Sequence, residues 1–313
     1  MDGSIFASAR TAHTAIRAVN GAMHTRTRGM AAAGKEMSFL EHLEELRWTL
    51  VRAAVVLAVC VIGVFIWIEE IYDGFVMAPS RPDFITYRAL CALGHRLGMD
   101  ESFCVKDMKF NLFSNTPQQE FMMSFSLSFT FGLIVASPFI VWQFWRFVAP
   151  GLKETERRAA QGVMFFVALL FLLGAAFAYW VLAPMSFQFF NTYSLSPGIQ
   201  KIWTLDSYVG IFNGFLLWTG VAFELPVIMV FLARIGLVGP AFLRQYRRHA
   251  YVVILVVAAI ITPPDVVSQI LVTLPLAVLF EISILLAARA ERARLAADTT
   301  RAVQSGRPGA VAR

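Results

Sequence analysis

Apolar stretches of membrane-spanning length alternate with short polar connections along most of this 313-residue chain. About 20 apolar residues carry a helix across a bilayer core. Runs that meet this length are Trp48–Ile68, Phe121–Trp142, Gln161–Leu182, Tyr208–Ala233 and Val266–Ala288. A further run, Ala250–Ile261, is short. At 1.5 Å per residue it covers about 18 Å, against a core of about 30 Å. The pattern predicts an all-α integral membrane protein with six transmembrane helices. The fifth and sixth form a hairpin turning at Thr262-Pro263-Pro264-Asp265, whose prolines remove backbone donors and force extended geometry before them. A short fifth span that thins the bilayer locally fits the charge alternation better than a re-entrant hairpin.

Basic residues orient the spans. Lys35, Arg47 and Arg52 flank the first; Arg146, Lys153, Arg157 and Arg158 follow the second; Arg234, Arg244, Arg247 and Arg248 follow the fourth. Arg289, Arg292 and Arg294 begin the tail, whereas Ala183–Ser207 carries only Lys201. Basic loops stay in the cytoplasm, so a multi-pass topology with both termini cytoplasmic is expected. Composition agrees: 58% of residues are hydrophobic and 15% charged, too apolar for a soluble domain. The net charge of +6 therefore reflects topology, and no aromatic-interleaved basic patch argues for nucleic acid.

Residues 1–36 stand apart, rich in Ala, Thr and Arg and without the apolar core of a secretory signal. A disordered extension, an organelle transit peptide and a start codon placed before a true start at Met37 all fit them. The expected organisation is this extension, a six-span membrane domain over 37–288, and a cytoplasmic tail over 289–313.

Local motifs supply the chemistry. Ser38-Phe39-Leu40-Glu41 reads as a capping box opening a helix. Phe39, Leu43, Leu46 and Leu50 then mark one helical face, so an amphipathic helix is expected to lie in the interface and bend into the first span. Its polar face is acidic, with Glu41, Glu44 and Glu45, where interfacial helices normally present Lys and Arg to anionic lipid. Such a face is either ordinary helix-surface chemistry or a surface for a cationic partner. The loop Phe147–Arg158 carries a Pro-Gly turn with Glu154 and Glu156 on the same membrane side. Glu224 lies inside the fourth span, where an ionised group costs at least about 2.5 kcal/mol, with Pro226 loosening the helix nearby. A protonated structural role and a polar docking role both fit it. Glu281 is a second intramembrane acid without an assigned role. Cys91 and Cys104 fall in the predicted outer loop, where a bridge and two free thiols are both open, and Cys60 sits in the first span as packing.

Four segments together resemble the TatC family, the polytopic core component of the twin-arginine protein translocase. They are Ser38 to Arg47, Phe147 to Arg158, Phe223-Glu224-Leu225-Pro226, and Thr262 to Gln269. The resemblance implies a glove-shaped six-span fold in the cell inner membrane, and a receptor for signal peptides that carry paired arginines on folded precursors. It implies export driven by the proton gradient, single-span TatA/TatB-type partners and an oligomeric complex, without cofactor or metal. The signal-peptide contacts it implies are Glu45, Leu46, Arg47, Phe147 and Glu156. The intramembrane polar or docking positions are Glu224, Asp265, Gln269 and Pro79. The long N-terminal extension and the enlarged first outer loop around Tyr87–Phe110 depart from the family pattern.

A proton-coupled secondary transporter using Glu224 and Glu281 is the competing reading, although the internal repeat of such folds is missing. An enzyme is not expected: His42-Leu43-Glu44-Glu45 is not a zinc-binding His-Glu-x-x-His, and no Gly-x-Ser-x-Gly or phosphate loop occurs.

Overall fold

The computed structural model describes residues 39–96, 98, 104, 111–151, 154–196, 201–234, 239–262 and 266–304. Contacts divide the chain into two units, Met1–Trp48 and Thr49–Arg313. In the first, the described residues form the opening turns of helix α1. That helix covers Phe39–Ile66 without a break, so the expected interfacial helix and first span are one element. Ser38 of the anticipated capping box lies outside the described residues.

The second unit is helical almost throughout. Helix α2 (Ile85–Arg96) belongs to the connection after the first span, and α3 (Gln119–Val148) is the second span. Helix α4 (Glu154–Phe177) continues through a π-turn, Ala178–Leu182, into α5 (Ala183–Thr192), and together they make the third. The fourth span is two helices, α6 (Leu205–Ala222) and α7 (Leu225–Arg234), separated at Phe223 and Glu224. Helix α8 (Pro240–Gln245) leads to α9 (Arg247–Ile261) and the long α10 (Val266–Gln304). Among the described residues, five stretches are long and apolar enough to cross a membrane: Leu43–Ile66, Gln119–Val148, Met164–Thr192, Leu205–Ala233 and Ser268–Arg289. Helix α9, the expected short fifth span, has 15 residues, a length of about 22 Å. It pairs with α10, and the hairpin residues Pro263, Pro264 and Asp265 lie outside the described set.

Lipid gives helices no hydrophobic reason to associate, so small residues that admit close approach decide where they cross. Helices α4 and α6 meet at Gly174 and Gly220. A Cβ on Gly174 would fall 2.9 Å from the Gly220 Cα, and one on Gly220 would fall 2.9 Å from the Phe171 ring. Gly132 of α3 admits Val61 of α1 in the same way, with a Cβ there meeting the Val61 Cα at 2.9 Å. Around these crossings α6 is enclosed. Tyr208, Phe212 and Phe215 are buried, and Tyr208 stacks on Phe187 of α5 with centroids 4.6 Å apart.

Proline in a helix deprives the carbonyl four residues earlier of its donor, and lipid offers no substitute. One such carbonyl, and two in the irregular turns where the α-helical register is lost, receive a hydroxyl. Pro138 strips Ile134, and Ser137 Oγ donates to the Ile134 carbonyl at 2.8 Å. In the π-turn of the third span the Trp180 carbonyl accepts from Thr86 of α2. In the turn after the first span, where Tyr72–Val76 is likewise a π-turn, the Phe75 carbonyl accepts from Tyr179 at 3.1 Å. Tyr208 donates to the neighbouring Val76 carbonyl at 2.7 Å. Tyr87 lies 3.0 Å from the Pro79 carbonyl and 2.6 Å from that of Pro184. Burial pushes the Tyr87 phenol well above its usual range, so it remains a donor. These tyrosines bind the first, third and fourth spans to one irregular turn.

Two-residue strands β1 (Leu112–Phe113) and β2 (Trp203–Thr204) pair in parallel. The Gln119 amide beside them accepts from the Asn115 N–H at 2.6 Å and donates to Asp206. Cys91 and Cys104 form a disulfide, which settles the alternative left open by their positions.

Removing a hydroxyl that serves a buried carbonyl leaves that carbonyl unsatisfied. Tyr179→Phe and Tyr208→Phe are each expected to cost about 1–3 kcal/mol, seen as lower melting temperatures of the detergent-solubilised protein. Unchanged melting in both would refute this account of the irregular turn.

Candidate functional site

Two groups of polar residues stand out, one in the first helical turns of the chain and one inside the bundle. In α1, Glu44 is engaged: Trp48 Nε1 donates to its carboxylate at 2.9 Å, and Arg47 lies 3.7 Å away. Glu45 differs. It is half-buried, and its Oε2 is buried with no hydrogen-bond partner. Leu46 is half-buried, and Arg47 is exposed. One carboxylate of the pair is thus committed locally, while its neighbour keeps acceptor capacity.

The loop between the second and third spans is short because α3 ends in a tight turn, Ala149–Gly151, built on Pro150. Phe147 is half-buried in the last turn of α3. One turn earlier on the same face, Gln143 is only 3% exposed, and its Oε1 has no partner. Its signal in the sequence was an amide following an apolar run, overlooked beside the more conspicuous Phe147. Glu156 falls in the first turn of α4, and its side chain is outside the described residues.

The two intramembrane acids have different surroundings. Glu281 is held by Arg247 at the start of α9: Nε donates to Oε1 at 2.6 Å and Nη2 donates to Oε2, a two-pronged grip. Tyr251 donates to the same Oε1. Glu281 therefore braces the α9–α10 hairpin. Glu224 occupies the break between α6 and α7. Pro226 removes the donor that the Ala222 carbonyl would use, and the Glu224 N–H turns back to Val221 at 3.0 Å. Both carboxylate oxygens of Glu224 are buried, and neither has a hydrogen-bond partner. The break sits beside α4 because the Gly174–Gly220 crossing lets Phe171 pack against the same stretch. Thr219, fully buried one turn above Phe223, likewise keeps an unpaired hydroxyl. Asn213, a further turn and a half outward, donates to Ser126 at 3.0 Å and leaves its own oxygen unpaired.

The remaining expected positions are scattered. Gln269 is half-buried in the first turn of α10, where its carbonyl accepts from Thr273 at 2.7 Å. The adjacent Ser268 is buried and bonds to Ser186 of α5. Asp265 lies outside the described residues. Pro79 is buried in the tyrosine-bound turn after the first span.

These features define a polytopic α-helical membrane protein whose interior keeps several polar groups free of internal partners. Residues 41–275 match the family described as Sec-independent protein translocase protein (TatC). The chain belongs to the TatC family, and its role is accordingly one of protein transport. It is 35% identical over 272 residues to the Sec-independent protein translocase protein TatCy of Bacillus subtilis, covering 87% of this chain and 97% of that one. The TatC of Koribacter versatilis is 37% identical over 266 residues, 83% of this chain and 88% of that one. A solved structure described as the twin arginine translocase receptor TatC in DDM superposes with a TM-score of 0.62 at 28% identity. It covers 79% of this chain and 99% of that one.

A buried acid without donors contributes nothing to holding the fold, whereas a paired one does. Glu224→Gln is expected to leave the melting temperature unchanged or raise it. Glu281→Gln, at a partly exposed pair, should lower stability by about 0.5–1 kcal/mol. Thermal unfolding in detergent compares them directly, and marked destabilisation by Glu224→Gln would show that the carboxylate is structurally satisfied.

Proposed function

We propose that the chain is the signal-peptide receptor and core subunit of a twin-arginine translocase in the cell inner membrane, with both termini cytoplasmic. Glu45 and Glu156 receive the paired arginines of a folded precursor's signal peptide, and Leu46, Arg47 and Phe147 flank them. The observation that carries this reading is the uncommitted carboxylate of Glu45 beside the committed one of Glu44. Counted along the chain, two crossings separate Glu45 from Glu156, so both belong to one membrane face. Guanidinium is always charged and presents a planar fork that a carboxylate grips in two places; an ammonium group cannot reproduce that geometry.

Glu224 is the docking point within the membrane for the precursor or for a single-span TatA/TatB-type helix. Its two unpaired oxygens support this, because intramembrane acids pair with a neighbour or face a cavity. Asp265, Gln269 and Pro79 contribute polar or structural contacts toward the outer side. The bilayer and an oligomeric complex are further partners, and the proton gradient supplies the energy. A proton-coupled transporter would draw on both intramembrane acids, and Glu281 is already held by Arg247 and Tyr251.

Changing both cargo arginines to lysine is expected to abolish crosslinking from positions 45 and 156. Glu45→Ala should weaken signal-peptide binding about ten- to hundred-fold, the equivalent of about 1.5–3 kcal/mol for a charge-assisted contact. Glu224→Gln should stop export while folding and signal-peptide binding persist. Equal crosslinking of the Arg-Arg and Lys-Lys peptides would remove the arginine-specific site.

A further inference from the structure

The segment after the first span carries a cluster that the proposed function does not use. Cys91 and His95 are four residues apart on α2, hence on one face of that helix. Tyr87 precedes Cys91 by one turn on the same face, and its bonds to the Pro79 and Pro184 carbonyls fix the helix against the bundle. The Cys91 sulfur lies 3.9 Å from His95 Nδ1. The chain then returns Cys104 to the same point, so one ligand atom from each of Cys91, His95 and Cys104 lies within 4.8 Å of the others. Both cysteines are half-buried, and His95 is exposed. A disulfide that only staples the loop has no use for an imidazole against its sulfur.

We propose that Cys91, His95 and Cys104 form a redox-coupled site for a thiophilic d10 cation such as Zn2+, held by the dithiol form and released when the disulfide closes. Zinc–thiolate and zinc–imidazole bonds of about 2.3 and 2.0–2.1 Å place ligand atoms about 3.5–3.8 Å apart around a tetrahedral ion. The 3.9 Å between the Cys91 sulfur and His95 Nδ1 is already close to that spacing, and the two sulfurs, bonded to each other in the disulfide, move apart to it once reduced. Two thiolates and one neutral imidazole select a soft or borderline ion over Mg2+ or Ca2+, and water takes the fourth position. The electrons balance through an external partner of the disulfide or dithiol class. A dithiol reduces the Cys91–Cys104 bond and becomes a disulfide itself, and the two thiols lose their protons as the ion binds. In the opposite direction an incoming disulfide accepts two electrons from the two thiolates, the Cys91–Cys104 bond re-forms, and the ion leaves.

The test uses the full chain in detergent with Cys60→Ser, which removes the free thiol of the first span. The protein is reduced with a phosphine and titrated with Zn2+ against a chromophoric chelator. One equivalent is expected to bind and to protect Cys91 and Cys104 from alkylation. The oxidised chain should bind none, and a small-molecule disulfide added to the loaded protein should release the ion as the bridge forms. His95→Ala should weaken binding about tenfold or more, while its oxidised form still closes the same bridge, which verifies its fold. Zinc uptake by the reduced chain no tighter than that of the Cys91→Ser/Cys104→Ser variant would overturn the proposal. So would identical affinity in His95→Ala.

Discussion

The irregular turns of this protein answer to the scarcity of hydrogen-bond donors in a bilayer. A carbonyl stripped of its partner in water finds a solvent molecule at once; in hydrocarbon it must find a protein group. Pro138 strips the Ile134 carbonyl, to which Ser137 donates, and in the π-turns the Trp180 and Phe75 carbonyls accept from Thr86 and Tyr179. Two of these donors come from distant parts of the chain, so the remedy for a local defect doubles as a tertiary contact. Three spans are tied together by such bonds, which are directional where apolar packing against lipid-facing neighbours is not.

Pro226 sits in a different setting. It opens the fourth span beside a carboxylate with no donor, at a place where two glycines have already brought α4 against α6. The contrast with Glu281 decides how to interpret it. The same residue type is locked by Arg247 and Tyr251 in one case and left without a hydrogen-bond partner in the other. Free acceptor capacity is costly inside a membrane and persists where something else uses it. The same logic separates Glu45 from Glu44 in the opening turns.

Much of this was legible in the sequence because membrane spans announce themselves by length and apolarity. The runs around Phe121, Gln161, Tyr208 and Val266 each became a span, and the short stretch before Ile261 became the 15-residue α9. Glu224 was conspicuous for being charged amid apolar neighbours, and Pro226 announced the break beside it. The pairing of Thr86 with Trp180, or of Tyr179 with Phe75, could not be read, because a hydroxyl that serves a carbonyl nearly a hundred residues away leaves no periodic trace. The partner of Glu281 was hidden for the same reason. The expected bend after the first turns did not appear as a break either: nothing between Phe39 and Ile66 interrupts the backbone ladder, since neither proline nor glycine falls before Gly63.

Helix α10 does not stop where its apolar stretch does. It continues from Arg289 to Gln304 as one unbroken rod, adding about 22 Å beyond the span. A rod transmits torque. Because each residue advances the helix by about 100°, losing a single residue past Arg289 would swing everything attached beyond it by more than a quarter turn, whereas losing seven would nearly restore its original bearing. The azimuth of Gln304 is therefore set by the sixth span itself, as a weathervane's pointer is set by its shaft.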